Sequence, residues 1–161
     1  MNESPMLTSL RNQYNQQFKE ESYHKYLGKL KEWSGIELAF RVAETPVFFS
    51  KEMLEQMTSV CDHVIETMQD AEFMKWTDDS IPPEMNIPGE EGMPSLMVFD
   101  FGICDNGRGG IEPKMIELQG FPSLFGLQVM MDRAFIELKM IPEKTASYLN
   151  GWNENTYLEL L

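Results

Sequence analysis

Cysteine and histidine are scarce in this chain, with two of each: Cys61 and Cys104, His24 and His63. Neither histidine has a partner at ligand spacing. No Cys/His pair, histidine metal motif or nucleophile elbow is present, so a stand-alone hydrolase or transferase has no visible machinery. Cys61 falls in a helical pattern and Cys104 at a strand end, and both read as buried free thiols, a usage that suits a reducing cytoplasm. Bases are few as well: 13 Lys and Arg stand against 26 Asp and Glu, giving a net charge of −13. That balance repels a phosphate backbone and an anionic membrane surface, and no cluster of bases overcomes it, which argues against nucleic acid. No apolar run approaches the roughly 18 residues that a bilayer span needs. The opening MNESPMLTSLRNQYNQQ has neither the basic flank nor the apolar centre of a secretory signal. A cytoplasmic protein is expected.

What is present is one domain's worth of chain, long enough to bury about 70% of its unfolded surface. The first third is helical in pattern. Met6, Leu7, Leu10, Tyr14 and Phe18 recur at steps of three and four, and Tyr23, Tyr26, Leu27, Leu30 and Trp33 continue the stripe up to the cap Gly35. Ile36–Val42 alternates apolar with other residues and predicts a half-buried strand, interrupted at Glu44-Thr45-Pro46. Arg41 with Glu44 at that bend either holds an anionic substrate or forms an ordinary surface ion pair. Ser50 caps the clearest helix, whose apolar stripe runs from Met53 to Met68, and the helix is expected to reach about Trp76. Residues 77–94 carry four prolines and several acids, and predict an irregular connector or flap. A further helix is expected from Ser123 to near Pro142, and a last one over residues 154–161. The last helix reaches the final residue uncapped with Leu158 and Leu161 exposed, which reads as a piece of a longer protein.

The most informative stretch lies between these helices. SLMVFDFGIC and KMIELQ are strand-like, and DNGRGGIEP between them has the Asn-Gly and Gly-Gly pairs of a hairpin. It lacks the Gly-Lys-Ser/Thr ending of a phosphate-binding P-loop. Alternation places Asp100 on one face with Val98 and Gly102, and Glu117 on one face with Met115 and Gln119. Ile116 and Leu118 take the opposite face. The simplest register pairs Val98 with Gln119 and Asp100 with Glu117. Like charges directly opposite are destabilising by a few tenths to about 1 kcal/mol. Either a bound cation offsets that, or the carboxylates sit on a solvated or base-paired face, or the register slips by two.

Asp100, then the turn, then Lys114–Gln119 and Pro122-Ser123-Leu124 together resemble a signature of circularly permuted ATP-grasp ligases of the glutathionylspermidine synthase type. That family carries R-x-D on one strand and E-x-N on the next. Asp100 matches the Asp, Glu117 the Glu, and Gln119 stands in place of Asn. Val98 occupies the Arg position, and Gln119-Gly120-Phe121-Pro122-Ser123 replaces N-x-D-T-P. The resemblance spans residues 96–127. It implies Mg²⁺ held by Asp100, Glu117 and Gln119, ATP bound in the full-length protein, and ligation of a carboxylate to an amine through an acyl-phosphate.

The expected fold class is α+β: N-terminal helices, a small mixed sheet containing an antiparallel hairpin, and helices packed on one face. Residues 1–35 are expected as a helical arm and 36–161 as the α+β core, truncated at its C-terminus. The resemblance implies the N-terminal portion of an ATP-grasp-like ligase, inactive by itself. The alternative is a non-catalytic acidic binding or interaction domain, or a degenerate relative. Expected partners are a small-molecule substrate or a missing C-terminal domain, with self-association through the exposed C-terminal end; neither nucleic acid nor membrane is expected.

Overall fold

The computed structural model describes residues 5–85, 87–89, 94–120, 124–142 and 145–161. Among these the architecture is α+β, with six α-helices and one two-stranded antiparallel sheet. The described residues of 49–122 form one compact unit, and those of 5–48 with 123–161 form a second. No helix among the described residues is long and apolar enough to cross a membrane.

In the second unit, α1 (Pro5–Gln17) and α2 (Glu20–Ser34) follow the N-terminal stripe. Glu20 and Glu21 sit in the first turn of α2 and Lys31 in its last, where each charge complements the helix dipole. Gly35 closes α2 at φ 70°, donating its N–H to the Lys31 carbonyl at 3.0 Å. Tyr26 and Leu30 are completely buried and pack with Val42, Leu127, Ala134 and Phe135. The Tyr26 and Phe135 rings lie 4.6 Å apart. Burying side chains of this size is worth about 1.5–3 kcal/mol each, so the stripe is a packing face. Leu127, Ala134 and Phe135 come from α5 (Phe125–Glu137), which packs on α2 and ends before Lys139 turns left-handed at φ 54°. Ser123, where this helix was expected to begin, lies outside the described residues, as do Phe121 and Pro122 of the signature.

The strand expected over Ile36–Val42 does not form. Leu38 and Val42 turn inward, whereas Ile36 and Phe40 are exposed. Among the described residues the segment pairs with no other strand, and tyrosine hydroxyls take one carbonyl at its end and one just beyond it. Tyr23 donates to the Val42 carbonyl at 2.7 Å and Tyr14 to the Glu44 carbonyl at 2.5 Å. Alternation alone could not foresee that competition. The sheet is therefore purely antiparallel among the described residues, not mixed. The last helix, α6 (Glu154–Leu160), opens with a capping box in which Asn153 and Thr156 bond reciprocally.

In the first unit, α3 (Lys51–Met68) begins where Ser50 Oγ accepts the Met53 N–H at 3.1 Å. Met53 and Met57 are its buried residues, and the helix packs on strand β2 (Ile111–Gln119). The helix does not continue to Trp76. Asp70 ends it by capping a new helix, α4 (Ala71–Asp78), accepting the N–H groups of Glu72 and Phe73 at 3.0 and 2.8 Å. A side chain that satisfies two orphan donors at one helix start competes directly with continuing the previous helix. In the segment expected to be irregular, Thr77 and Asp78 belong to α4, and the other regular element described is a 3₁₀ turn over Pro83–Met85.

Candidate functional site

Strand β1 (Val98–Asp105) pairs with β2 in the register that alternation predicts: Val98 with Gln119, Phe99 with Leu118, Asp100 with Glu117. Directly after Asp100 the register shifts, so that Phe101 faces Met115 and Ile116 has no partner. This is a β-bulge, which bends the strand and re-aims side chains. Its effect is visible at Gly102, where an added Cβ would lie 3.5 Å from Ile116 Cδ1. Ile116 thus leaves the face it was expected to share with Leu118 and covers Gly102, which alternates onto the Asp100 face. The turn itself is shorter than expected, because Ile111, Glu112 and Pro113 belong to β2. Asp105 and Asn106 build it. The Asp105 side chain accepts from Gly107 N at 2.6 Å, and Asn106 accepts from Arg108 N and Gly110 N at 2.9 and 3.1 Å. Gly107 and Gly109 adopt φ of 69° and 78°, which glycine reaches without strain.

The two carboxylates therefore sit on one face as direct cross-strand partners, and Gln119 stands between them. Its amide nitrogen donates to Asp100 Oδ2 at 3.0 Å and to Glu117 Oε1 at 2.7 Å. An amide has two N–H donors, one for each carboxylate. Asp100 and Gln119 are half-buried and Glu117 is exposed. The repulsion expected of the carboxylate pair is offset within the chain by a neutral side chain that bonds both. Residue spacing alone did not show this role of Gln119, although its place beside Glu117 on one strand face was a signal. Toward the turn the same face carries Glu112 and Lys114, paired at 3.2 Å.

Asp100, Glu117 and Gln119 together offer only oxygen donors for a cation, the chemistry that Mg²⁺ takes. Ligation through Gln119 requires its amide to turn over, because the nitrogen faces the carboxylates. Among the described residues no group of three or more His, Cys, Asp or Glu side chains is placed to hold a metal ion. The two cysteines are free and half-buried, and burial with Asp62 nearby pushes the Cys61 thiol above its ordinary value.

Arg41 and Glu44 belong to the other compact unit, where they form an ion pair. The hydrogen bond and charge of Glu44 raise the Arg41 guanidinium, which stays cationic. Arg41 is largely exposed and lines a cleft of about 290 Å³ together with α2, a feature that sequence reasoning missed. Gly28, a helix-interior glycine that no cap or turn requires, was the available signal. No family model, curated protein or solved structure matches this chain.

Proposed function

We propose that this chain supplies the magnesium-binding carboxylates of an ATP-grasp-like ligase that joins a carboxylate to an amine. Asp100 and Glu117 would be the anionic ligands and Gln119 the neutral oxygen ligand. The observation that supports this reading is the cross-strand pairing of Asp100 with Glu117, with Gln119 touching both. Mg²⁺ held by Asp100, Glu117 and Gln119 would supply positive charge to offset that of phosphate. The chain's own residues concentrate negative charge on one strand face and hold two carboxylates at a spacing set by the backbone ladder. ATP and a small-molecule substrate are the reactants that this reading implies, and a cytoplasmic location goes with it. The exposed Leu158 of α6 and the neighbouring Leu161 would be where the chain meets a partner or a second copy.

A second reading, a non-catalytic acidic binding domain or degenerate relative, is favoured by two observations. Val98 stands at the Arg position of the resembled signature, and the Gln119 amide satisfies both carboxylates without a cation. Thermal unfolding in Mg²⁺ or Mn²⁺ distinguishes the two. A cation tenfold above its Kd stabilises by about 1.4 kcal/mol, a shift of a few degrees for a chain of this size. Asp100→Asn should lose that shift. A melting curve that ignores both cations would remove the ligase reading and leave the acidic domain.

A further inference from the structure

We propose a second binding site in the cleft between α2 and residues 37–42, for a small organic anion with a flat apolar body. It does not depend on the hairpin reading. The cleft has a volume of about 290 Å³. Liquid water occupies about 30 Å³ per molecule, so the cleft admits a body of roughly ten heavy atoms.

Four observations converge on it. The first is Gly28, in the interior of α2, where glycine weakens a helix relative to alanine. Its φ is not left-handed, and a Cβ built on it meets nothing within 4 Å. Packing therefore does not require glycine there, and the missing side chain leaves the cleft floor open. The second is the apolar lining. Leu27, Leu38 and Val42 surround the floor, with the rings of Tyr23 and Phe40 beside them. Phe40 is 47% exposed, which leaves much of its ring open to a ligand.

The third is charge. In a chain of net charge −13 this cleft gathers two cations, Lys31 and Arg41, against one lining acid, Glu37. Lys31 Nζ meets Glu37 at 3.1 Å, and Glu44 pairs with Arg41. Those contacts engage only part of the three donors of lysine and the five of arginine. The fourth is preorganisation. The Tyr23 hydroxyl ties the Val42 carbonyl to α2 at 2.7 Å, which holds the outer wall before any ligand arrives. An anion would take the remaining Arg41 and Lys31 donors while its apolar body lies over Gly28.

The test titrates the full chain with 2-naphthoate, followed by backbone amide NMR. Shifts should cluster over residues 23–42, and 2-naphthalenemethanol should bind about fivefold more weakly for want of its charge. The cationic 2-naphthylmethylamine should bind no better than the alcohol. Arg41→Gln should lower naphthoate affinity to the level of the alcohol. Gly28→Leu should abolish binding, and Gly28→Ala should weaken it while raising the melting temperature. The Gly28→Ala variant keeps the result interpretable if leucine is not accommodated. Equal binding of all three probes, unchanged binding in Gly28→Ala, or no shift at millimolar naphthoate would each overturn the proposal.

Discussion

Replacing Gln119 by Leu removes the amide that separates Asp100 from Glu117 while keeping a side chain of similar size. Two hydrogen bonds disappear, at 3.0 and 2.7 Å. Each is worth about 0.5–1.5 kcal/mol net, and the low end applies because Glu117 is exposed and Asp100 only half-buried. The carboxylates then face each other across the ladder at a Cβ separation of about 5 Å. Two unit charges at that distance repel by about 0.8 kcal/mol in water. The loss should total roughly 1.8 kcal/mol, about a twentyfold fall in hydrogen-exchange protection of the β1 and β2 amides. Exchange is the suitable assay because it reads the hairpin itself, in a chain with two compact units. Adding Glu117→Gln to the Gln119→Leu variant removes the repulsion and should restore about 0.5 kcal/mol or more, whereas Glu117→Gln alone should change protection little. Unaltered protection in Gln119→Leu, or purely additive single and double variants, would refute the bridging role. The same variant also separates the two functional readings. If Gln119 is a ligand, its loss weakens the response to Mn²⁺; if it only screens the carboxylates, its loss strengthens that response.

Tyr26 is completely buried, and its hydroxyl has no hydrogen-bond partner among the described residues. Tyr26→Phe should therefore raise stability by about 1 kcal/mol in urea denaturation, and a loss of stability would show that the hydroxyl is bonded. Burial above all, with Tyr23 and Tyr14 adding to it, pushes the Tyr26 hydroxyl well above its ordinary value of 10.0. The folded state thus holds this proton more tightly than the unfolded chain. Its contribution is complete below pH 10 and declines as pH rises beyond it, a decline that Tyr26→Phe should lessen. Asp70→Ala should cost about 1 kcal/mol and lower exchange protection around Phe73, because it removes the cap of α4. Unchanged protection there would mean that α3 simply continues through the junction.

Local chemistry was legible in the residues wherever one short segment decided the outcome. Ser50 and Gly35 marked helix ends because the capping bonds they make span only three or four residues. Asn106, Gly107, Gly109 and Gly110 specified a turn, and alternation made Asp100 opposite Glu117 the simplest register while leaving a slip by two open, which the structure closes. The α+β class followed from the same signals. Tertiary structure decided what alternation cannot carry. The segment from Ile36 to Val42 has the pattern of a strand, but a strand needs an edge to pair with, and the Tyr23 hydroxyl takes the Val42 carbonyl instead. The bulge after Asp100 moved Ile116 across the sheet because register beyond one pair depends on both strands. Gln119 became the bridge between two carboxylates only when the strands met, since its donors need acceptors from both. The cleft over Gly28 arose in the same way: one open position on a helix becomes a cavity only when another segment folds across it.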